Sequence, residues 1–301
     1  MNVVLIDGKW MAYRMHFSHI ALQTSDGKPT GMLHGFMQGL LHIHKKLPDA
    51  AIIVCWDGKG PTWRHRLYPA YKQNRQPNPQ MPRMQQGSEV LVPLLRQLGF
   101  WVMREKEVEA DDMIGMASYR LSYDGHKVRI HSSDQDMYQL VRADSPSIWP
   151  KVDEKPITER DVKRVFGVNP CNVCEIRAMA GDSSDNLKGL KGVGIKTAIR
   201  YWKEGLRPVS TLVPSWASKY KPEWPRVLQE YKLAQIIRDP QDNVWSKDLK
   251  RTLSLWMDKI SERPGRFREH AERNREDIYR TFARYELAQL IADRHILFNM
   301  P

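Results

Sequence analysis

The acids of this 301-residue chain gather at a few points, and those points are where chemistry would be done. The densest is Glu107-Val-Glu-Ala-Asp-Asp-Met-Ile-Gly, in which Glu109, Asp111 and Asp112 run straight into an amphipathic segment (Met113, Ile114, Met116, Ala117, Tyr119, Leu121). Acids are favoured in the first turn of a helix, where free N–H groups and the macrodipole attract negative charge. An isolated triplet would therefore read as a solvated helix start. Here the arrangement recurs: Asp7, Asp57, the pair Asp134 and Asp136, and the pair Asp182 and Asp185 all stand just past apolar runs. Carboxylates brought together cannot all ionise without cations. The chemistry this pattern fits is that of divalent metal held by oxygen ligands, Mg²⁺ being the hard cation that prefers them.

Strands must deliver these acids to one edge. Val3–Ile6 and Ala51–Trp56 are short β-branched, apolar runs that end at Asp7 and Asp57, as buried parallel strands do. Phe100–Met103 leads as a strand into the central acids, and Lys127–Ser133 leads to Asp134-Gln-Asp136. Between them, residues 31–47 and 90–98 carry apolar positions at helical spacing. Strand, helix, strand with acids at the carboxyl ends predicts an α/β fold with a mostly parallel central sheet flanked by helices, its site at that edge. From about residue 157 helices dominate. Thr158 is an N-cap with Asp161 three residues on, a helix runs from about Cys171 to Gly181, and residues 275–293 form another. His131 reads as a packing residue.

Charge points to the partner. There are 47 Lys and Arg against 35 Asp and Glu, a net charge of +12, with a sequence pI near 9.6. A surplus of this size suits a polyanion such as nucleic acid. Residues 59–83 hold Lys59, Arg64, Arg66, Lys72, Arg75 and Arg83 among Trp63, Tyr68 and Tyr71, with five prolines and no acid between Asp57 and Glu89. Cations that track phosphates, interleaved with rings that stack on bases, suit a single strand. Gly192-Val-Gly194, flanked by Lys188, Lys191, Lys196 and Arg200, opens a helix with bare N–H groups and suits duplex backbone. Three cysteines exclude a disulfide framework, and Cys171 and Cys174, without a second pair, read as helical thiols. With no signal peptide and no apolar run near the ~20 residues of a membrane span, a soluble, cytoplasmic protein is expected.

In order along the chain, these stretches resemble the 5′-nuclease family, which includes flap endonucleases, stand-alone phage 5′→3′ exonucleases and the N-terminal domain of bacterial DNA polymerase I. The motifs are Val3-Val-Leu-Ile-Asp-Gly, Pro29-Thr-Gly-Met-Leu-His-Gly-Phe, Trp63-Arg64, Pro69-x-Tyr71-Lys72-x-x-Arg75, Val108-Glu-Ala-Asp-Asp, Ser133-Asp-Gln-Asp-Met-x-Gln-Leu-Val, Met179-Ala-Gly-Asp-Ser-Ser-Asp-Asn and Gly192-Val-Gly-Ile-Lys-Thr-Ala. Together they cover roughly the first two hundred residues, and their joint spacing is specific where each alone is not. Ser133 and Trp63 depart from the Gly and Phe common in the family.

The resemblance implies a metal-dependent 5′→3′ exonuclease and flap endonuclease that cuts DNA near 5′ single-strand/duplex junctions, leaving 5′-phosphate and 3′-OH, in replication, primer removal or repair. It assigns Asp7, Asp57, Glu109, Asp111, Asp112, Asp134, Asp136, Asp182 and Asp185 to two Mg²⁺ sites, with Mn²⁺ able to substitute. Asp7, Asp57, Glu109 and Asp111 would hold one ion; Asp134, Asp136, Asp182 and Asp185 would hold the other, with Asp111 between them. Lys72, Arg64 and Asp111 would be catalytic. Arg14, Trp63, Arg66, Tyr71, Lys72, Arg75, Lys191, Gly192, Gly194, Lys196 and Thr197 would contact DNA, and the hairpin would also hold K⁺. The expected organisation is a PIN-like 5′-nuclease core over 1–165, with a basic arch at 59–88, a helix-three-turn-helix hairpin at 166–205, and a helical packing region at 206–301. A stand-alone monomer is expected, its substrates 5′ flaps, 5′ ends, nicked or gapped duplexes and RNA/DNA primers, with no identifiable replication-protein motif in the tail. The alternatives are a PIN-like ribonuclease, against which the Asp182–Ala198 stretch argues, and a DNA-structure-binding protein without catalysis, against which the complete set of acids argues.

Overall fold

A computed structural model describes the chain except for residues 211, 266–267, 288–289, 291–293 and 301. Five parallel strands form its centre: β1 (Asn2–Asp7), β2 (Ala51–Cys55), β3 (Trp101–Met103), β4 (Lys127–His131) and β5 (Ser147–Ile148), in the order β3-β2-β1-β4-β5. The chain builds outward from β1 to β3, then crosses back to place β4 on the other side of β1. That reversal opens a crevice at the carboxyl end of β1, the place where open parallel sheets bind ligands.

Every residue of β2 and all but the first of β1 are buried, so both faces of the sheet must be covered. Alternation divides the faces. Val3, Leu5, Ala51, Ile53, Val128 and Ile130 pack into one apolar cluster, and Val4, Ile6, Ile52, Val54 and Val102 into a second on the opposite side. The helices are α1 (Gly8–Ser18), α2 (Gly31–Lys46), α3 (Trp63–Leu67), α4 (Met81–Gln97), α5 (Ala110–Tyr123), α6 (Glu159–Phe166), α7 (Val173–Ala180), α8 (Ile195–Lys203), α9 (Trp224–Ala234), α10 (Lys247–Glu262), α11 (Arg268–Arg273), α12 (Arg275–Arg284) and α13 (Arg294–Asn299). The first cluster takes apolar residues of α5, α7, α9 and α10; the second takes those of α1, α2, α4 and α12. The C-terminal third is thus divided between the two faces of the sheet. Among the described residues, no helix is long and apolar enough to cross a membrane.

Four local features differ from the sequence reading. Helix α1, with no clear apolar stripe, follows β1 immediately, and Gly8 permits the turn: a Cβ there would lie 2.3 Å from the Trp56 ring and 2.9 Å from the Cys55 carbonyl oxygen. Helix α4 starts at Met81 rather than near residue 90, because Pro82 sits in the first turn, where a missing N–H is harmless. The expected arch is accordingly short and largely folded, with Trp63, Arg64 and Tyr71 buried. Finally, α12 stops at Arg284, two residues before Glu286 in a left-handed conformation; 288–289 and 291–293 of the expected helix lie outside the described residues. The Thr158–Asp161 capping box forms as read, with the Thr158 N–H donating to Asp161 Oδ2 at 3.0 Å.

Candidate active site

The ends of β1 to β4 each hand an acid to the same edge. Asp7 is both the last residue of β1 and the N-cap of α1, accepting from the Trp10 N–H at 3.0 Å and the Ser132 hydroxyl at 3.1 Å. Asp57, two residues past β2, accepts from Lys9 Nζ at 2.7 Å and from the Ala110 N–H at 2.8 Å, so it caps α5 from outside that helix. Glu109 is the N-cap residue of α5 and Asp111 lies in its first turn. Past β4, Asp134 caps the turn that carries Asp136, accepting its N–H at 2.9 Å.

Two adjoining hollows result. One is lined by Asp7, Asp57, Glu109, Asp111 and Asp134, with Lys9, Lys72 and Arg75 among them. The other takes Asp111, Asp136, Asp182 and Asp185, with Arg64 and Arg177. Asp111 faces both. Asp134 joins the first set rather than the second, which separates it from Asp136 despite their nearness in sequence.

The acids exceed their cations, and the electrostatics show it. Burial, opposed by the Trp10 N–H and reinforced by Asp57 and Asp134, pushes the Asp7 carboxyl up to about 7. Burial, then Asp134 and Asp7, holds Asp111 well above the usual carboxylate range. Burial also lifts Asp136 to about 7, with Arg177 opposing and Asp134 and Asp182 adding. Glu109 goes the other way: burial would raise it, but Arg64 and Lys72 bring it down to about 2. Protons thus do for Asp7, Asp111 and Asp136 what cations do for Glu109. Such a surplus of buried carboxylates can be relieved by protons or by cations.

As the side chains stand, no three His, Cys, Asp or Glu side chains among the described residues converge closely enough to clasp one ion. The reason is visible in their partners. Lys9 draws Asp57, Lys72 draws Glu109 at 3.0 Å, and Arg75 draws Asp185 at 2.8 Å. Arg177 Nε lies 3.0 Å from Asp136, near enough for charge pairing although its N–H makes no aligned hydrogen bond. Each of these acids is thus paired with a resident cation.

Asp112 is a correction to the sequence reading. Fully buried, it accepts from Arg64 Nη1 at 2.8 Å, Arg64 Nη2 at 2.9 Å, the Trp63 indole at 2.9 Å and the Ile237 N–H at 3.0 Å. One residue's advance along α5 turns its carboxylate by about 100°, from the hollows into the protein. Arg64 and Trp63 are corrected with it. Arg64 is spent on Asp112 and on the carbonyls of Leu233 and Gln235, at 2.9 and 2.7 Å, and has no free donor fork for a phosphate. Trp63 presents no face to a base, being buried with Arg64 stacked 4.5 Å from its ring.

Tyr71 is likewise buried; its hydroxyl lies 2.9 Å from Asp185 and 3.3 Å from Glu109, bridging them. Lys72 beside it is half-buried and holds φ +59°, a strained left-handed backbone for a non-glycine residue. Its N–H donates to the Asp185 carbonyl at 3.2 Å, and its ammonium donates to Glu109 at 3.0 Å. Arg75 remains half exposed. Arg66 pairs with Glu107 at the surface, and Arg14 lies over Trp10 and donates to the Pro150 carbonyl. Both departures from the family pattern acquire a partner: Trp63 bonds Asp112, and Ser133 accepts from the Trp10 indole at 2.7 Å.

At the hairpin, Lys191, Gly192, Gly194 and Lys196 are exposed and Thr197 is half-buried. Gly194 caps α8, and a Cβ on Gly192 or Gly194 would meet nothing within 4 Å, so the backbone there is open to a large ligand. Lys9 and Arg177 were missed in the sequence, although each lies within five residues of an acid already singled out. Leu233, Ala234 and Ile236, which line the second hollow, gave no signal at all.

Residues 2–167 match the family model described as the 5′-3′ exonuclease, N-terminal resolvase-like domain. A 5′-3′ exonuclease of Aquifex aeolicus is 34% identical over 254 residues, covering 83% of this chain and 86% of that protein. The thermostable DNA polymerase I of Thermus thermophilus is 37% identical over 204 residues, 67% of this chain but 24% of the polymerase. Among solved structures, the T5 D15 protein co-crystallised with metal ions superposes with a TM-score of 0.72 at 17% identity, covering 87% of this chain and 100% of that one. That likeness establishes the shared fold. The chain is a nuclease, and it belongs to the 5′-3′ exonuclease family.

Proposed function

We propose that this 5′ nuclease hydrolyses DNA phosphodiesters at 5′ ends and near 5′ single-strand/duplex junctions, with two Mg²⁺ ions held by the sheet-edge carboxylates. The observation that carries this reading is the position of Asp111, shared by two hollows whose acids outnumber their cations. Asp7, Asp57, Glu109, Asp111 and Asp134 would hold one ion, and Asp111, Asp136, Asp182 and Asp185 the other. The bound ions supply activated water and charge neutralisation at the scissile phosphate, and Mn²⁺ would serve in their place.

The chain's own groups do the rest. Lys72, whose ammonium lies on Glu109, and Arg75 beside it present positive charge to the phosphoryl oxygens. Asp7 and Asp111 release their protons as the site is loaded. The hairpin Gly192–Lys196, with its exposed glycines and flanking lysines, takes the duplex backbone, and Lys59 and Arg66 serve the single-stranded 5′ end. Residues 1–165 then form the nuclease core, 166–205 the duplex-holding hairpin, and 206–301 the helices packed against them. The related T5 D15 flap endonuclease has been solved in a pseudo-enzyme-product complex with DNA and metal ions, which supports the same partner for this chain.

The experiment follows a 5′-labelled flap and a nicked duplex with Mg²⁺, comparing the protein with Asp111→Ala. Cutting at the junction by the unaltered protein alone is expected. Cutting of RNA only would move the substrate to that class, and tight DNA binding without cleavage under Mg²⁺ and Mn²⁺ would sink the reading.

A further inference from the structure

The C-terminal third carries a device that the sequence reading treated as packing. Along one face of α9, Glu223, Arg226 and Glu230 are spaced at i, i+3 and i+7. Glu230 is 2% exposed. Its two carboxylate oxygens accept the backbone N–H groups of Lys188 and Gly189, both at 2.9 Å. Arg226 bridges the row, donating to Glu230 at 2.8 Å, to Glu223 at 2.9 Å and to the Gly189 carbonyl at 2.6 Å. Glu223 then accepts the Lys191 N–H at 3.1 Å. About two turns of helix thus grip four backbone groups of residues 188–191.

What this short loop connects gives the grip its meaning. On its N-terminal side, Asp182 and Leu187 exchange reciprocal N–H···O bonds at 2.8 Å, which fixes the turn bearing Asp182 and Asp185. Gly189 packs so tightly behind that turn that a Cβ would lie 2.3 Å from the Gly181 nitrogen. On its C-terminal side the loop runs directly into Gly192 and Gly194, whose surroundings are open. Only six residues separate Asp185 from Gly192. The loop is held from two sides: the Leu190 N–H donates to the Met179 carbonyl at 2.8 Å, and α9 holds the backbone groups of Lys188, Gly189 and Lys191. Buried charge is costly, so a carboxylate placed among apolar neighbours and spent wholly on backbone and one guanidinium is more than packing requires.

We infer that Glu230, Arg226 and Glu223 are positioning residues: they form a brace that sets the distance and angle between the duplex-holding hairpin and the Asp182/Asp185 turn. Through the brace, a duplex seated on the hairpin presents one particular phosphodiester to the carboxylates. The inference rests on the nuclease reading above, and none of the three side chains touches the reacting atoms.

Glu230→Gln preserves shape but leaves one loop N–H facing an amide donor. Glu223→Gln, at a partly exposed position, disturbs the same loop with little risk to folding. On a 5′-flap substrate with Mg²⁺, Glu230→Gln is expected to raise KM about tenfold, the scale of a lost hydrogen bond to charge. It is also expected to scatter cutting over neighbouring phosphodiesters. Glu223→Gln should show the same scatter to a smaller degree, and decides alone if Glu230→Gln fails to fold. Cutting at one position with unchanged KM in both variants overturns the brace, as does a lowered melting temperature of Glu230→Gln with KM and register intact. Should the unaltered protein not cut at all, the nuclease reading fails instead. Duplex affinity by fluorescence anisotropy in Ca²⁺ then tests the brace separately: weaker binding by Glu230→Gln upholds it, equal binding overturns it.

Discussion

Asp111 and Asp112 are neighbours in sequence, yet they belong to two different regions of the molecule. Asp111 opens onto hollows where acids outnumber cations, and burial with Asp134 and Asp7 beside it keeps its carboxyl protonated well above the ordinary range. Asp112 lies behind α5 in a closed network, with four donors from Arg64, Trp63 and Ile237 satisfying both its oxygens. The same functional group is left hungry in one place and saturated in the other. Only an unsaturated carboxylate has lone pairs to give a metal ion; a saturated one gives rigidity. Arg64 makes the same point for cations when set against the half-buried Lys72, whose ammonium has Glu109 at 3.0 Å and Asp185 at 4.0 Å and no backbone carbonyl partner among the described hydrogen bonds.

The contrast is open to direct attack. The largest expected effect comes from Asp111→Ala, which should reduce cleavage by about 10³-fold or more, since metal-borne stabilisation is worth several kcal/mol. Its melting temperature without metal should hold or rise, because a repelled carboxylate has been removed. Asp112→Ala should do the reverse and cost about 3–5 kcal/mol of stability by leaving Arg64 buried without its partner. Urea unfolding would check this, and a stable Asp112→Ala protein without activity would reverse the two assignments. Lys72→Ala comes next, with kcat lowered by about 10²-fold and little change in melting temperature, read from single-turnover rates.

A pH series sharpens the comparison without mutation. Asp7 and Asp136 are raised to about 7 in the folded state against an ordinary value near 3.8. The metal-free folded protein therefore binds more protons than the unfolded chain across that window, so its stability should fall as pH climbs from about 4 to about 7. Mg²⁺ competes with those protons, so its affinity should rise over the same window, and saturating Mg²⁺ should remove the loss. Melting curves in EDTA and in Mg²⁺ would show it; a metal-free protein that gains stability toward pH 7 would contradict the crowding of acids. The smallest expected effect is that of Ser133→Ala, which deletes one exposed hydrogen bond to Trp10 and should cost about 1 kcal/mol or less.

The carboxylate edge was legible because strand ends announce themselves. A short β-branched run followed by Asp implies a buried parallel strand and an acid at its carboxyl end, and β1, β2 and β4 obey this at Asp7, Asp57 and Asp134. Helix α1 was not legible, since its apolar residues form no clear stripe and only the Trp56 packing around Gly8 explains where it starts. The basic stretch 59–83 was only partly legible for a related reason. Its composition describes a nucleic-acid surface, yet Trp63, Arg64 and Tyr71 are buried, their polar ends spent on Asp112, Glu109 and Asp185.

Local order along the chain was thus enough for the α/β class, for the acids at one sheet edge and for the open glycines of the hairpin, because periodicity, strand-end acids and glycine spacing act between near neighbours. Which of two adjacent aspartates faces the site, which arginine is spent inside the protein, and which C-terminal glutamates grip the loop beside the hairpin were decided only by tertiary structure. Those outcomes depend on partners that approach from more than thirty residues away, such as Asp112 to Arg64, Lys188 to Glu230 and Lys191 to Glu223. A side chain's role there is set by how many donors reach it and how much water is left, and neither is written in its immediate sequence.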